Sequence, residues 1–589
     1  MKNKACCWIL IVIGALFVLF VVSTGIAVSV MVARSGETTT VIADSTYLVL
    51  DLSGPLVEYN IQPSFDFLGM SKQITVADMW RSLEHAAKDR KIAGVIVKPL
   101  GIGGFAEIRE TRTALQNFRK SGKPVYAYLD LATDRDYYLA SVADSIIMNP
   151  AKSGGMTLLG LNIQQTYLAK TFEKVGIRFH TLHVGQYKGA FENYSKDKMS
   201  EPLRESLQSM LDSIYSTYTQ EIVASRRGLT LDKLNAEILN GKKMFLWGSD
   251  AVAMGLVDKT MDWQDFKEGL KSGKDLRTVT PAKYVKTFTP KAKLASNEVA
   301  VLFAEGQISF KPSNNSPFNM DDEIVAESMV KQLRDLRKDD KVKAVVLRVN
   351  SPGGSAFASE IILQEVRRLK EKKPVVVSMG NVAASGGYYI SCIANRIIAQ
   401  PNTITGSIGV VGMFPTAEDL YKRIGARVET VSKGKWANYL RIDQDLSPEQ
   451  TAVVMEYMQG IYDEFVDHVA AGRDQSRESI EASAAGRVWT GTQALQRKLV
   501  DELGGLDLAV ERARELANIS EKDSRVRLYP RQKDFFTFMI DRLDNTMLFL
   551  RDRLLFLPSD LDVQRVVDVL TDYLRHRDFV QAVLPIELP

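Results

Sequence analysis

One stretch of this chain is written twice, and that duplication limits what it can fold into. Lys88-Asp-Arg-Lys-Ile-Ala-Gly-Val-Ile-Val-Lys98 recurs as Lys338-Asp-Asp-Lys-Val-Lys-Ala-Val-Val-Leu-Arg348. The offset of 250 residues also carries Gly103-Gly104 onto Gly353-Gly354 and Lys123-Pro124 onto Lys373-Pro374. A repeat this long is a domain-sized unit used twice, not a solenoid of short modules. The 589 residues are too many for a single core and suit two.

Each copy opens with an apolar run, Tyr47–Leu52 in the first and Val299–Phe303 in the second. A helix-like stretch follows, and then a β-branched run, Gly94–Val97 or Ala344–Leu347. Near-continuous apolar strands alternating with helices predict buried, largely parallel strands in an α/β fold. Ile362, Val366 and Leu369 have helical spacing, so Ser359–Lys370 is expected to be a helix with a solvated charged face. Val375–Ser378 reads as the next strand, with a helix beginning directly after Ser385. The expected divisions are 1–34, a membrane anchor; 46–295, the first unit; 296–525, the second; and 526–589, an extension. Pro290–Glu298 forms the join between the units. The extension is apolar but broken by Asp541, Arg542, Asp544, Arg551, Asp552 and Arg553, which predicts amphipathic helices for membrane contact or subunit packing.

Trp8–Ala33 carries no charge, and 26 helical residues span roughly 39 Å, enough to cross a bilayer with tilt. Lys2 and Lys4 before it place the N-terminus inside and both units outside. The alternative is a leader cut after Gly25-Ile-Ala27; either way the units are exported. A net charge of +4, from 75 basic and 71 acidic residues, implies no nucleic-acid partner. Cys6, Cys7 and Cys392 supply neither a disulfide framework nor a zinc site, and no metal or cofactor is expected.

The copies part company in their chemistry. The second reads Asn350-Ser-Pro-Gly-Gly-Ser355 and Ala383-Ala-Ser-Gly-Gly-Tyr-Tyr389, where the first has Pro99-Leu-Gly-Ile-Gly-Gly104 and Thr133-Asp-Arg-Asp-Tyr-Tyr138. Ser385 therefore has no counterpart serine. A serine needs a base within hydrogen-bond reach to become a nucleophile, and no histidine lies between His183 and His468. A lysine can take that role if burial keeps it neutral. Lys188 in Gly185-Gln-Tyr-Lys-Gly-Ala190 and Lys435 in Ser432-Lys-Gly-Lys-Trp-Ala437 are both candidates, each 12 residues before a serine, Ser200 or Ser447. Gly353-Gly354 can bring backbone N–H groups to a developing oxyanion, or can simply make a tight turn. Ser385-Gly-Gly can put a hydroxyl at the positive end of a helix, or can be a plain N-cap. Gly406–Gly412 lacks the spacing of a nucleotide loop.

Taken together, Asn350–Ser355, Ala384–Tyr389 and Thr405-Gly-Ser-Ile-Gly409 resemble the signal peptide peptidase (protease IV) family in its double-repeat form, over roughly residues 46–525. The resemblance implies a tandem Clp protease/crotonase-like fold and a Ser/Lys serine peptidase that degrades released signal peptides. It implies Ser385 as nucleophile, Lys188 as general base with Lys435 the alternative, Ser407 positioning the lysine, and Gly354 with Gly353 at the oxyanion hole. It further implies a homotetramer at the bacterial inner membrane, its catalytic units on the periplasmic side. The competing readings are a silent scaffold of the same fold, which would have no use for Ser385, and acyl-CoA chemistry, which needs no Ser/Lys pair.

Overall fold

A computed structural model describes residues 41–54, 56–59, 74–271, 273, 275–288, 297–312, 323–531 and 580–583. The Trp8–Ala33 segment, the join at 290–296 and most of the C-terminal extension lie outside these residues. Among the described residues, no helix is long and apolar enough to cross a membrane.

In the first unit, strands β1 (Thr46–Ser53), β2 (Ile92–Leu100), β3 (Val125–Leu129) and β4 (Ser145–Met148) pair in parallel, in the order β4-β3-β2-β1. Short strands at Lys259–Thr260 and Thr278–Val279 extend the two edges. Helices α1 (Phe105–Arg119) and α2 (Asp134–Ala140) follow β2 and β3. Strand β5 (Arg178–Val184) and helix α3 (Glu201–Ser225) come next.

The second unit repeats the plan. Its sheet holds β6 (Asn297–Glu305), β7 (Val342–Ser351), β9 (Val375–Ala384) and β10 (Ile404–Gly406). Between β7 and β9 come strand β8 (Gly353–Ser355) and helix α4 (Ala356–Lys370). Helix α5 (Gly386–Tyr389) follows β9, strand β11 (Val410–Thr416) follows β10, and helix α6 (Pro448–Arg473) closes the unit over the core. Valines 299, 301, 345, 346, 375, 376 and 377 are fully buried, as continuous β-branched runs between two covered faces require. Strand β12 (Ser524–Tyr529) pairs in parallel with β6, so this sheet runs four residues beyond the expected edge at 525.

The duplication extends to side chains. Lys123 Nζ donates to Ala86 O and Asp89 O at 2.7 and 2.6 Å, and Lys373 Nζ does the same to Leu336 O and Asp339 O at 2.7 and 2.6 Å. Each lysine satisfies carbonyls at the end of a helix, where free acceptors and the negative dipole end gather.

Two features tie the units together. Strand β5 of the first unit runs antiparallel along the whole of β11 of the second, from Val184↔Val410 to Arg178↔Thr416. Arg348, fully buried on β7, forks onto two carboxylates of the first unit: Glu58 at 2.9 and 3.0 Å and Glu110 at 2.7 Å. A dry bidentate pair of this kind fixes orientation as well as adding energy.

The C-terminal extension re-enters at the centre of the molecule. Strand β13 (Val580–Val583) lies antiparallel between β8 and β11, with Gly354↔Ala582 on one side and Val411↔Gln581 on the other. The apolar faces for which membrane contact or subunit packing is expected lie outside the described residues.

Candidate active site

Strand β9 ends at Ala384, and the chain turns into α5 through Ser385, whose backbone is held at φ 56° and ψ −116°. This positive-φ conformation is strained for a serine and persists because its surroundings fix it. Ser385 N donates to Gly406 O at 2.9 Å, and Tyr389 N donates to Ser385 O at 2.8 Å. The next residue has to be glycine: a Cβ on Gly386 would come within 2.7 Å of Ser359 Oγ and 3.1 Å of Gly353 Cα. The helix expected after Ser385 is present, but it is only four residues long.

Gly354 approaches still more closely. Its φ is +151°, and a Cβ there would sit 2.0 Å from Ile308 O. Gly353 precedes it with φ 104°. The Gly353-Gly354 backbone thus lies against the first residue of α5, beside Ser385, with the Gly353 N–H donating to Ser351 Oγ at 3.2 Å.

Lys188 reaches this place from the first unit. The loop after β5 is held by Tyr187 N donating to Ala485 O at 2.9 Å, and it delivers a fully buried side chain. Lys188 Nζ donates to Ser385 Oγ at 2.7 Å, to Ser407 O at 2.9 Å and to Ser407 Oγ at 3.0 Å. These contacts are all neutral oxygens. Burial alone holds the ammonium pKa well below its usual value, because nothing compensates the charge removed from water. Ser407 is itself pinned at φ 50°, with its N–H on Arg487 O at 2.8 Å.

The structure therefore brings together Ser385, Lys188, Ser407, Gly353 and Gly354. Lys435 is elsewhere. Its side chain is 64% exposed, its Nζ is 2.5 Å from Glu449 Oε1, and it lies over the Trp436 ring. Lys435, the alternative base, is therefore not brought to Ser385. The described histidines, His85, His180, His183 and His468, bond to other groups.

Sequence reasoning missed one supporting cluster. Tyr389 Oη on α5 donates to Glu360 on α4 at 2.8 Å, and His468 Nε2 on α6 bonds the same carboxylate at 3.0 Å. The cluster ties the helix carrying Ser385 to the helix that follows Gly354. Glu360 and His468 are 108 residues apart, and no local spacing marks them as a pair.

Comparison with known proteins places the geometry in a family. The model for peptidase family S49 matches residues 117–277 and 367–520. The chain belongs to peptidase family S49. It is a serine peptidase of that family, and the Clp protease model matches residues 297–405, in keeping with the fold of its second unit. This S49 chain is 34% identical to Protease 4 of Haemophilus influenzae, over 82% of its own length and 81% of the relative's. Protease 4 of Salmonella typhi is 33% identical over 86% of this chain and 84% of the relative. The chloroplastic serine protease SPPA of Arabidopsis thaliana is 35% identical over 76% of this chain, which spans 66% of that relative.

Proposed function

We propose that this S49 chain is a membrane-anchored endopeptidase in which Lys188 activates Ser385 to cut signal peptides already released from exported proteins. The observation that carries the reading is the 2.7 Å contact between the buried Lys188 amine and the Ser385 hydroxyl. The neutral amine takes the Oγ proton as Ser385 Oγ bonds to the scissile carbonyl carbon. The resulting oxyanion is met by the amides at Gly354 and at the start of α5. As the intermediate collapses, the C–N bond breaks and the lysine's proton passes to the leaving amine. Water, deprotonated by the same lysine, then releases the acyl group and restores Ser385.

The position of β13, an extended backbone antiparallel between β8 and β11, supports a groove of this kind for substrate. Substrates are read in the same way, by strand addition with side chains pointing alternately into pockets. Signal peptides fit because they are short, apolar and free of stable tertiary structure. The name of an Enterococcus faecium relative, putative signal peptide peptidase SppA, favours this substrate class. Trp8–Ala33 would hold the enzyme at the inner membrane with both units on the periplasmic side, and a homotetramer would shield the site.

A fluorophosphonate probe tests the reading. It should label wild-type protein at Ser385 and fail to label Ser385→Ala, and purified enzyme should fragment a synthetic signal peptide. Absence of labelling with retained folding would make the chain a scaffold. Mass spectrometry of the membrane fraction should recover peptides from Trp8 to Arg34; an N-terminus at Val28 would remove the anchor.

A further inference from the structure

The first unit retains the place of an active site without its chemistry. Tyr137 Oη donates to Leu256 O at 2.9 Å, just as Tyr388 Oη donates to Leu499 O at 2.8 Å. This correspondence puts Asp134 where Ser385 stands, each three residues before its tyrosine. The Asp134 carboxylate is fully engaged, accepting from Leu159 N at 3.0 Å, Gly160 N at 3.1 Å and Tyr218 Oη at 2.9 Å. Its oxygens are held by these donors, and the hydroxyl that Ser385 presents has no equivalent at this position.

A cleft of about 430 Å³ nevertheless opens beside Asp134. Its walls are mostly apolar and come from both units: Ile102, Phe105 and Ile163 with Met210 and Ile214 of α3, and Ile404 of β10. Residues 161–163 line one side and, among the described residues, pair with no strand. They follow the short strand Gly155–Met156 as β11 follows β10, and β11 is paired on both sides, by β5 and β13. The first unit thus has the edge but no partner for it.

Asn402, which lines the same cleft, indicates what would fill it. It is 3% exposed, yet neither its amide nitrogen nor its amide oxygen has a hydrogen-bond partner among the described residues. A buried donor and acceptor left together call for a ligand with one of each. A peptide group has that composition, and an unpaired strand edge is where an extended peptide adds.

The cleft also lies on the strands that carry the catalytic residues. Asn381, in its wall, is four residues before Ser385, and Ile404 is three before Ser407. At about 3.3 Å per residue, the two places are roughly 10–13 Å apart along the sheet.

We propose that this cleft is a non-cleaving subsite that binds an apolar, extended part of the same peptide that is cut at Ser385, with the Asn402 amide engaging its backbone. The proposal rests on the peptidase reading for its substrate. It makes the degenerate unit a length and hydropathy filter: short peptides never reach it, and long apolar ones are held by both units.

Asn402→Leu is the informative variant, because replacing an unpartnered amide with an apolar side chain should leave Tm unchanged or raise it. KM for a leucine-rich peptide of roughly twelve residues should then rise about tenfold, with kcat/KM for a dipeptide fluorogenic amide unchanged. Ile163→Asp should show the same length-dependent loss. An unchanged KM in both variants would overturn the subsite, and so would an equal loss on both substrates. Binding can be read without turnover in full-length Ser385→Ala. A leucine-rich peptide carrying a photoreactive phenylalanine should cross-link to residues 161–163 or 210–214. Cross-links confined to β8 and β11 would refute the proposal, and this readout stands even if Ser385 proves inert.

Discussion

Lys188 Nζ and Ser385 Oγ are 197 residues apart in the chain and 2.7 Å apart in space, with no ionic partner for the amine among the described residues. The amine comes from one copy of the duplicated unit and the hydroxyl from the other. On the Ser/Lys reading proposed above, neither copy holds both groups, and the pairing of β5 with β11 is what joins them.

Lys188→Ala should therefore cost activity on the scale of Ser385→Ala, by about 10²–10⁴ or more in kcat, whereas Lys435→Ala should stay within about twofold. The pH profile identifies the base. A lysine base acts when neutral, and burial holds the Lys188 ammonium well below the ordinary lysine range, so wild-type activity should rise as pH climbs through that lowered value. Lys435→Ala should keep this limb. Its loss in Lys435→Ala alone would reverse the assignment.

The same burial predicts a stability signature. Below the pKa of the unfolded lysine, about 10.4, the unfolded chain binds a proton that folded Lys188 refuses. Wild-type stability should then increase with pH between the depressed folded value and about 10.4, by about 1.4 kcal/mol for each unit of depression. Lys188→Met has no proton to refuse and should lack this slope. Parallel urea titrations of the two proteins from neutral pH to about pH 10 measure the difference. Identical slopes would mean that Lys188 is charged in the folded protein.

Much of this was legible in the sequence, for reasons tied to particular residues. The runs Gly94–Val97 and Ala344–Leu347 are β-branched and continuous because both sheet faces are covered, so the strands of both units could be read directly. Ser385 was visible because its glycines are required by contacts that any Cβ would violate. Local sequence does not separate Lys188 from Lys435, since each is one lysine in a glycine-containing loop, and only the family resemblance favours Lys188. The long-range β5–β11 pairing separates them. The Arg348 fork to Glu58 and Glu110 spans 290 and 238 residues, and charged residues in isolation read as surface.

Gly354→Ala should be nearly inactive while remaining assembled. The added methyl would have to move Ile308 O, which it would approach to 2.0 Å, and would displace the amide beside Ser385. Loss of one oxyanion donor typically lowers kcat by about 10²–10³. Normal turnover, with the wild-type circular dichroism spectrum, would reduce Gly353-Gly354 to a turn.

Arg348→Met should destabilise the chain by about 3–5 kcal/mol, because Glu58 and Glu110 would be left buried without their cation. Adding Glu58→Gln and Glu110→Gln should recover much of that loss, since the orphaned charges are the cause. Denaturant midpoints of the single and triple variants give the comparison. A single variant as stable as wild type would show that the cross-unit fork does not hold the two halves together.

The strand Val580–Val583 pairs with both β8 and β11, the backbone partners that the strand-addition reading proposed above gives to substrate. The two must therefore compete. Deleting residues 580–589 should lower KM for long peptides several-fold and leave kcat nearly unchanged, because apparent affinity is reduced by the fraction of sites that are self-occupied. Ala582→Pro should act in the same direction, since proline has no N–H to give to a ladder. A peptide matching residues 577–589 should inhibit the truncated enzyme competitively. If neither variant changes KM and the peptide fails to inhibit, the C-terminal strand does not compete for the groove in solution.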